Sequence, residues 1–297
     1  MDKVIVIVGP TGVGKTKLSI ELAKKFNGEI INADSTQVYK GMNIATAKVT
    51  KDEKEGIVHH LLDIKDMTEI YTVYDYQKDC RNKIEDILKR NKTPILVGGT
   101  GLYIKAVLYD YKFDQEEHIT TSYSNLNDEE LYKKLLEVDP NTLIHKNNRK
   151  RVERALNYYE IHGQPLSDKE KTDELLYSSI VIGLTTDRDV LYERINQRVD
   201  KMLSEGLLNE SKMIYDSNIR TKAVLTPIGY KELFDYFENN CSLEQCLEKI
   251  KQNSRRYAKR QYTWFRNQMD VKWFDVDFNN FYNTVEEVEN YINDKKK

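Results

Sequence analysis

The chain has 297 residues, with 46 basic and 48 acidic side chains and a formal net charge of −2. That balance excludes a nucleic-acid site spread over the whole surface and leaves only a local basic patch as a candidate. Hydrophobic residues make up 39%, which suffices for one large domain or two modest ones.

The first predicted element is a strand. Val4-Ile5-Val6-Ile7-Val8 is apolar and β-branched throughout, the pattern of a strand buried on both faces. It is too short for a membrane span or a secretory segment. It runs into Gly9-Pro10-Thr11-Gly12-Val13-Gly14-Lys15-Thr16, which matches the phosphate-cradle spacing G-x-x-x-x-G-K-[ST] in full. A helix follows, with Leu18, Ile20, Leu22, Ala23 and Phe26 as its apolar face. In that setting the loop amides crowd around phosphate oxygens and the helix N-terminus adds positive potential. Lys15 reaches the terminal phosphates and Thr16 holds Mg²⁺. The loop promises a diphosphate or triphosphate, not specifically a nucleotide.

A second strand, 29–33, ends at Asp34-Ser35, and a helix is expected from Val73 to Arg90. Thr93-Pro94-Ile95-Leu96-Val97 is a third strand, ending in Gly98-Gly99-Thr100-Gly101, with a helix from Leu102 for which Thr100 could be an ordinary N-cap. Alternating elements imply a parallel sheet, with ligands gathered at the carboxyl ends of its strands. His59 and His60 sit on an extended segment and point opposite ways, which argues against joint metal ligation and for a structural or substrate-positioning role.

The pattern changes at Phe113. Residues 113–127 are polar, helices are expected at 128–138 and 149–161, and strand character returns at 179–184. Beyond it lie helices at 187–216, 229–238 and 243–267, a short strand at Trp273-Phe274 and a terminal helix. The fold class is therefore α/β: a P-loop NTPase-like parallel-sheet core from 1–112 and 178–297, with a mainly helical insertion domain at 113–177. Cys80, Cys241 and Cys246 form no Cys-x-x-Cys pair, and the five histidines complete no zinc pattern; reduced thiols in a cytoplasmic setting are expected.

Two local basic patches stand out. Arg149, Lys150, Arg151 and Arg154 open one helix. Residues 249–266 carry Lys249, Lys251, Arg255, Arg256, Lys259, Arg260 and Arg266 with no acid. Arg255/Lys259 and Arg256/Arg260 are i,i+4 pairs that repel unless a polyanion neutralises them. Among phosphate-loop classes, a GTPase lacks its guanine signature here, and a dinucleotide site lacks its third glycine, since Lys17 stands there. A small-molecule kinase stays open, with Asp34 able to position its acceptor.

Longer strings narrow the choice. Residues 32–42 (Asn-Ala-Asp-Ser-Thr-Gln-Val-Tyr-Lys-Gly-Met) resemble a segment of the tRNA dimethylallyltransferases. So do His59-His60-Leu61-Leu62-Asp63, residues 96–103, Arg151-Val152-Glu153-Arg154-Ala155-Leu156, residues 163–167, Ile228-Gly229-Tyr230-Lys231-Glu232 and residues 255–266, in order along nearly the whole chain. The resemblance implies transfer of a prenyl group from dimethylallyl diphosphate to the exocyclic N6 amine of the adenosine 3′ of the anticodon. It implies Mg²⁺ at Thr16, and diphosphate contacts along Gly9, Pro10, Thr11, Gly12, Val13, Gly14, Lys15 and Thr16. Contacts to the tRNA anticodon stem-loop follow at Asp34, Ser35, Thr36 and Gln37, at Lys150, Arg151, Val152, Glu153 and Arg154, and at Arg255, Arg256, Lys259 and Arg260. The expected partners are that RNA and the prenyl diphosphate, with no membrane, in a monomer. The absence of the C-terminal zinc finger of some eukaryotic relatives points to the bacterial type.

The chemistry agrees with the resemblance. An adenine amine is a weak nucleophile and must lose a proton as the new bond forms, so a carboxylate within reach is needed. Asp34 is the candidate general base; an outer-sphere role on Mg²⁺ or an N-cap remains open. Lys15 and the loop amides meet charge developing on the leaving diphosphate, and the resemblance puts Thr100 at the bridging oxygen. A related enzyme that prenylates free adenine nucleotide is the nearest alternative, but it would need neither the insertion nor the basic helix.

Overall fold

A computed structural model describes residues 3–111, 113, 121–168 and 174–296. The chain divides into two compact units, Met1–Asp110 with Leu175–Lys297, and Tyr111–Glu174. Much of the polar lead at 113–127 and the final Lys297 fall outside the described residues.

The first unit is built on β1 (Val4–Val8), β2 (Gly28–Asn32), β3 (His59–His60), β4 (Thr93–Val97), β5 (Ser179–Thr185) and β6 (Lys272–Asp275). They form one sheet in the order β3-β2-β4-β1-β5-β6 with every pairing parallel. β1 lies between β4 and β5, and all five of its residues are buried. Because strand side chains alternate, β1 feeds two cores: Val4, Val6 and Val8 join one, Ile5 and Ile7 the other. The helices of this half are α1 (Lys15–Lys25), α2 (Val73–Lys89) and α3 (Gly101–Leu108). Two more, α4 (Asp128–Val138) and α5 (Arg149–His162), belong to the second unit. The chain continues through α6 (Arg188–Ser204), α7 (Leu207–Asp216), α8 (Lys222–Leu225), α9 (Tyr230–Phe237), α10 (Leu243–Gln268) and α11 (Phe281–Lys296). Tyr76, Ile84 and Ile87 of α2 and Tyr103, Ile104 and Val107 of α3 fill the first core. Leu18 and Leu22 of α1, Leu191 and Ile195 of α6, and Val285, Val288 and Ile292 of α11 fill the second.

The structure departs from the sequence expectations in four places. The second strand begins and ends one residue early, at Gly28 and Asn32, although the Ala33 N–H still donates to the Val97 carbonyl at 2.8 Å. The single helix expected over 187–216 is two helices, because Gly206 adopts φ 103°, a conformation glycine tolerates and a helix cannot contain. His59-His60 pairs as a short parallel strand with β2. Cys241 and Cys246, expected as reduced thiols, are bonded to each other, with Cα atoms 6.6 Å apart; Cys80 is free and buried.

In the second unit, α4 is started by a capping box between Asn127 and Glu130. It packs on α5 through Leu131 and Leu135 against Val152, Ala155 and Leu156. The Arg149 guanidinium donates to the Leu126 and Tyr123 carbonyls and pairs with Asp128 and Glu153.

Beneath β2, the buried Glu29 carboxylate holds Arg90, Lys92 and His60, with Nη2, Nζ and Nε2 at 2.7, 2.8 and 2.7 Å. Hydrogen bonds from Arg90, then from Lys92 and His60, hold its carboxyl well below the usual range despite burial. A depressed acid contributes stability that is present above its unfolded pKa and lost as pH falls through the folded one. Glu29→Ala should therefore cost about 2–3 kcal/mol at pH 7. The penalty should shrink as the medium is acidified below pH ~4; a chemical-denaturation series that gives the same penalty at both pH values contradicts this.

Candidate active site

The residues read as catalytic and diphosphate-binding gather at the carboxyl edge of the sheet. β1 ends in the glycine loop, β2 in Asp34-Ser35 and β4 in Gly98-Gly99-Thr100. The approach between the last two is close: a Cβ on Gly98 would lie 2.1 Å from the Ala33 carbonyl oxygen, so only glycine fits there.

In the loop, Lys15 Nζ donates to the Pro10 carbonyl at 2.7 Å. Burial, and then repulsion from Arg198, push Lys15 down to about 7, partly offset by Asp34. Arg198, on α6, donates from Nη1 to Thr11 Oγ1 at 2.9 Å, and burial lowers its pKa. One turn earlier, Arg194 donates to the Gly12 carbonyl at 3.3 Å and stacks 3.7 Å from the Phe278 ring centre. Gln261 of α10 accepts from the Thr11 N–H at 3.0 Å and donates to the Gly99 carbonyl at 3.1 Å, tying the phosphate loop to the glycine turn.

Asp34 is half-buried and asymmetrically held. Its Oδ1 accepts from the Thr36 N–H at 2.9 Å and the Thr36 hydroxyl at 2.7 Å, which fixes the carboxylate and leaves Oδ2 to a substrate. Asn32 braces the turn, accepting from the Asp34 N–H and donating to the Asp34 and Leu61 carbonyls, each at 3.1 Å. Thr100 occupies the N-cap position of α3 but makes no side-chain cap. Its Oγ1 instead accepts from the Ser35 N–H at 3.2 Å, and it interacts with the Tyr257 hydroxyl. Burial, and then the Asp34 charge, raise the pKa of Tyr257 and keep its hydroxyl a donor. Ser35 and Thr36 are half-buried beside this group; the Gln37 amide nitrogen donates to the Thr46 and Ala47 carbonyls at 3.0 and 3.3 Å.

Thr16 is exposed at the start of α1. Among the described residues, no cluster of three or more His, Cys, Asp or Glu could hold a metal. A lone hydroxyl of this kind suits Mg²⁺, which keeps several waters and binds largely through substrate phosphate oxygens.

The basic patches divide into paired and free charges. On α5, Val152 is buried in the core and Glu153 pairs with Arg149, so Lys150, Arg151 and Arg154 are the exposed groups. On α10, Lys249 and Lys251 pair with Asp235 and Asp200, and Arg255 donates to Asn196 at 2.5 Å. Arg256, Lys259 and Arg260 are exposed. Lys259 also lines, with Arg188, Arg266 and Tyr262, a cavity of 310 Å³ beside Thr185 and Thr186, past the end of β5. It includes neither Asp34 nor the phosphate loop.

Sequence reasoning missed Arg194, Arg198 and Gln261. The signals were weak: the two arginines show an i,i+4 spacing on one helix face, which ordinary surface helices also show, and Gln261 lies inside the 255–266 string without a distinguishing feature.

A family model described as IPP transferase matches residues 37–268. The tRNA dimethylallyltransferase of Anoxybacillus flavithermus is 50% identical over 302 residues, covering 99% of this chain and 97% of that protein. That of Bacillus subtilis is 52% identical over 284 residues, covering 92% and 90%. Among solved structures, the tRNA isopentenylpyrophosphate transferase of Bacillus halodurans superposes with a TM-score of 0.76 at 44% identity, covering 99% of this chain and 97% of that one. A eukaryotic dimethylallyltransferase acting on tRNA gives a TM-score of 0.85 at 34% identity, covering 97% and 78%.

Lys15 titrates near neutrality only while no anion is beside it. Binding of an alkyl diphosphate at pH 8 should therefore draw up to about one proton onto the protein, and markedly less at pH 6. Calorimetry in buffers of different ionisation enthalpy measures this; no uptake at pH 8, or equal uptake in Lys15→Met, contradicts it.

Proposed function

The chain belongs to the IPP transferase family, and from that premise we infer how its residues carry out the transfer. It is a tRNA dimethylallyltransferase that modifies the N6 amine of the adenosine immediately 3′ of the anticodon. The observation that carries the residue assignment is the asymmetry of Asp34: one oxygen locked by Thr36, the other open, next to a loop lined with half-buried cations.

Dimethylallyl diphosphate lies with its phosphates on the loop from Gly9 to Thr16. Lys15 and Arg198 bind its oxygens, and the loop amides complete the cradle. Thr16 would hold Mg²⁺ through its hydroxyl, and the ion would supply further charge neutralisation for the leaving group. The target base leaves the anticodon loop and enters beside Asp34, Ser35, Thr36 and Gln37. The amine nitrogen forms its bond to the allylic carbon as the carbon–oxygen bond to diphosphate breaks. The amine proton passes to Asp34 Oδ2, and the electron pair of the broken bond stays on diphosphate. Thr100, whose hydroxyl is turned away from its own helix, lies toward the bridging oxygen and stabilises the charge developing there. Fixing the Asp34 carboxylate before the base arrives removes reorganisation from the chemical step.

Outside the reacting centre, the exposed charges suit the RNA backbone: Lys150, Arg151 and Arg154 in the insertion, and Arg256, Lys259 and Arg260 on α10, with the half-buried Arg255 beside them. Val152 and Glu153 contribute by holding that insertion helix in place. No helix among the described residues is long and apolar enough to cross a membrane. We propose a monomer acting in the cytoplasm.

Incubation with Mg²⁺, labelled dimethylallyl diphosphate and either unmodified tRNA or AMP should label the tRNA alone. Label on AMP would favour a free-nucleotide enzyme. Asp34→Ala should lower kcat by roughly 10²-fold or more; near-normal turnover in that variant removes the general-base assignment.

A further inference from the structure

Glu210 lies on α7, away from the residues that meet either substrate, yet its carboxylate is fully engaged. Its Oε2 accepts from the Asn43 and Ile44 N–H groups, each at 2.9 Å. Its Oε1 accepts from the Ile44 and Ala45 N–H groups at 3.0 and 3.2 Å, and from the Tyr230 hydroxyl at 2.8 Å. Tyr230 is fully buried, so the carboxylate is oriented from behind as well. Three successive backbone donors on one carboxylate form an N-terminal cap supplied from another helix.

What Glu210 caps is a closed turn. The Ala47 N–H donates to the Ile44 carbonyl and the Lys48 N–H to the Asn43 carbonyl, each at 2.9 Å, while the Thr46 hydroxyl donates to the Met42 carbonyl at 2.7 Å. The buried Lys48 ammonium pins it further, donating to the Tyr39 carbonyl at 2.7 Å and to Asp63 at 2.6 Å. The far end of this turn presents the Thr46 and Ala47 carbonyls, and both accept from the Gln37 amide nitrogen. Two carbonyls around that atom determine the amide orientation: the nitrogen faces the turn and Oε1 faces away from it. A carbonyl oxygen turned away from the turn, three residues along from Asp34, is an acceptor suited to the N–H edge of an adenine base.

We propose that Glu210 is a positioning residue for base recognition: by capping the 42–48 turn it fixes the two carbonyls that aim Gln37 at the acceptor base. This rests on the reading above that Gln37 contacts the base. It also gives a physical role to Tyr230, the tyrosine of the Ile228-Gly229-Tyr230 string, as the group that orients Glu210.

The test is steady-state prenylation of an anticodon stem-loop RNA by wild type, Glu210→Gln, Gln37→Ala and the double variant, varying each substrate in turn. Glu210→Gln should raise KM for RNA about ten-fold and leave KM for dimethylallyl diphosphate unchanged. In the Gln37→Ala background it should add little, because both changes remove the same contact. Tyr230→Phe, which removes one bond to the same carboxylate and little volume, should shift KM for RNA the same way by a smaller factor. It keeps the test decisive if Glu210→Gln fails to fold. A fall in kcat with both KM values unchanged, or effects that multiply in the double variant, overturns the proposal. If Gln37→Ala alone leaves KM for RNA unchanged, the role of Gln37 and that of Glu210 both fall while prenyl transfer stands; no transfer by wild type would overturn the functional reading itself.

Discussion

Two cations, Lys15 and Arg198, lie half-buried beside one loop, and Asp34 is the carboxylate whose charge reaches both. Like charges held close together raise the energy of the free site, and an anion bound between them lowers it. Much of the surrounding architecture serves this arrangement. The parallel sheet delivers the loop, Asp34 and the glycine turn to one edge. The i,i+4 spacing of α6 puts Arg194 and Arg198 behind the loop. Gln261 then ties the loop to the turn before Thr100. On the proposed function, the diphosphate would be met by groups already in place, as transition-state stabilisation of a leaving group requires.

The negative side of the site is held just as firmly by different means. Thr36 locks one oxygen of Asp34, Asn32 braces the backbone of the same turn, and the Thr100 hydroxyl accepts from Ser35 instead of capping its own helix. The proposed proton acceptor and leaving-group cradle, with opposite charge requirements, thus sit side by side, because separate strands carry them.

Much of this was legible in the sequence wherever the signal is local. The β-branched run at Val4–Val8, the glycine spacing after it and the amphipathic helix at Lys15–Lys25 each lie within one window of residues, and the structure has all three. Asp34 and Thr100 could be placed at strand ends because a parallel sheet brings strand ends together. Long-range pairings were not legible. Nothing near Arg198 announces that it will meet Thr11, 187 residues away, and nothing near Glu210 points to the backbone of Ile44. Charge counting along a helix also could not show that Arg149, Lys249 and Lys251 pair with neighbouring acids. A single backbone conformation at Gly206 split what periodicity read as one helix.

The central claim is a division of labour: Lys15 and Arg198 hold the diphosphate, and Asp34 serves the amine. Equilibrium binding of dimethylallyl diphosphate in the absence of RNA tests it most directly, comparing wild type with Arg198→Ala and Asp34→Asn. Arg198→Ala should weaken binding by roughly ten-fold or more, while Asp34→Asn, which removes a negative charge near the anion, should bind as tightly as wild type or more tightly. Weakening by Asp34→Asn as large as that by Arg198→Ala would contradict the division.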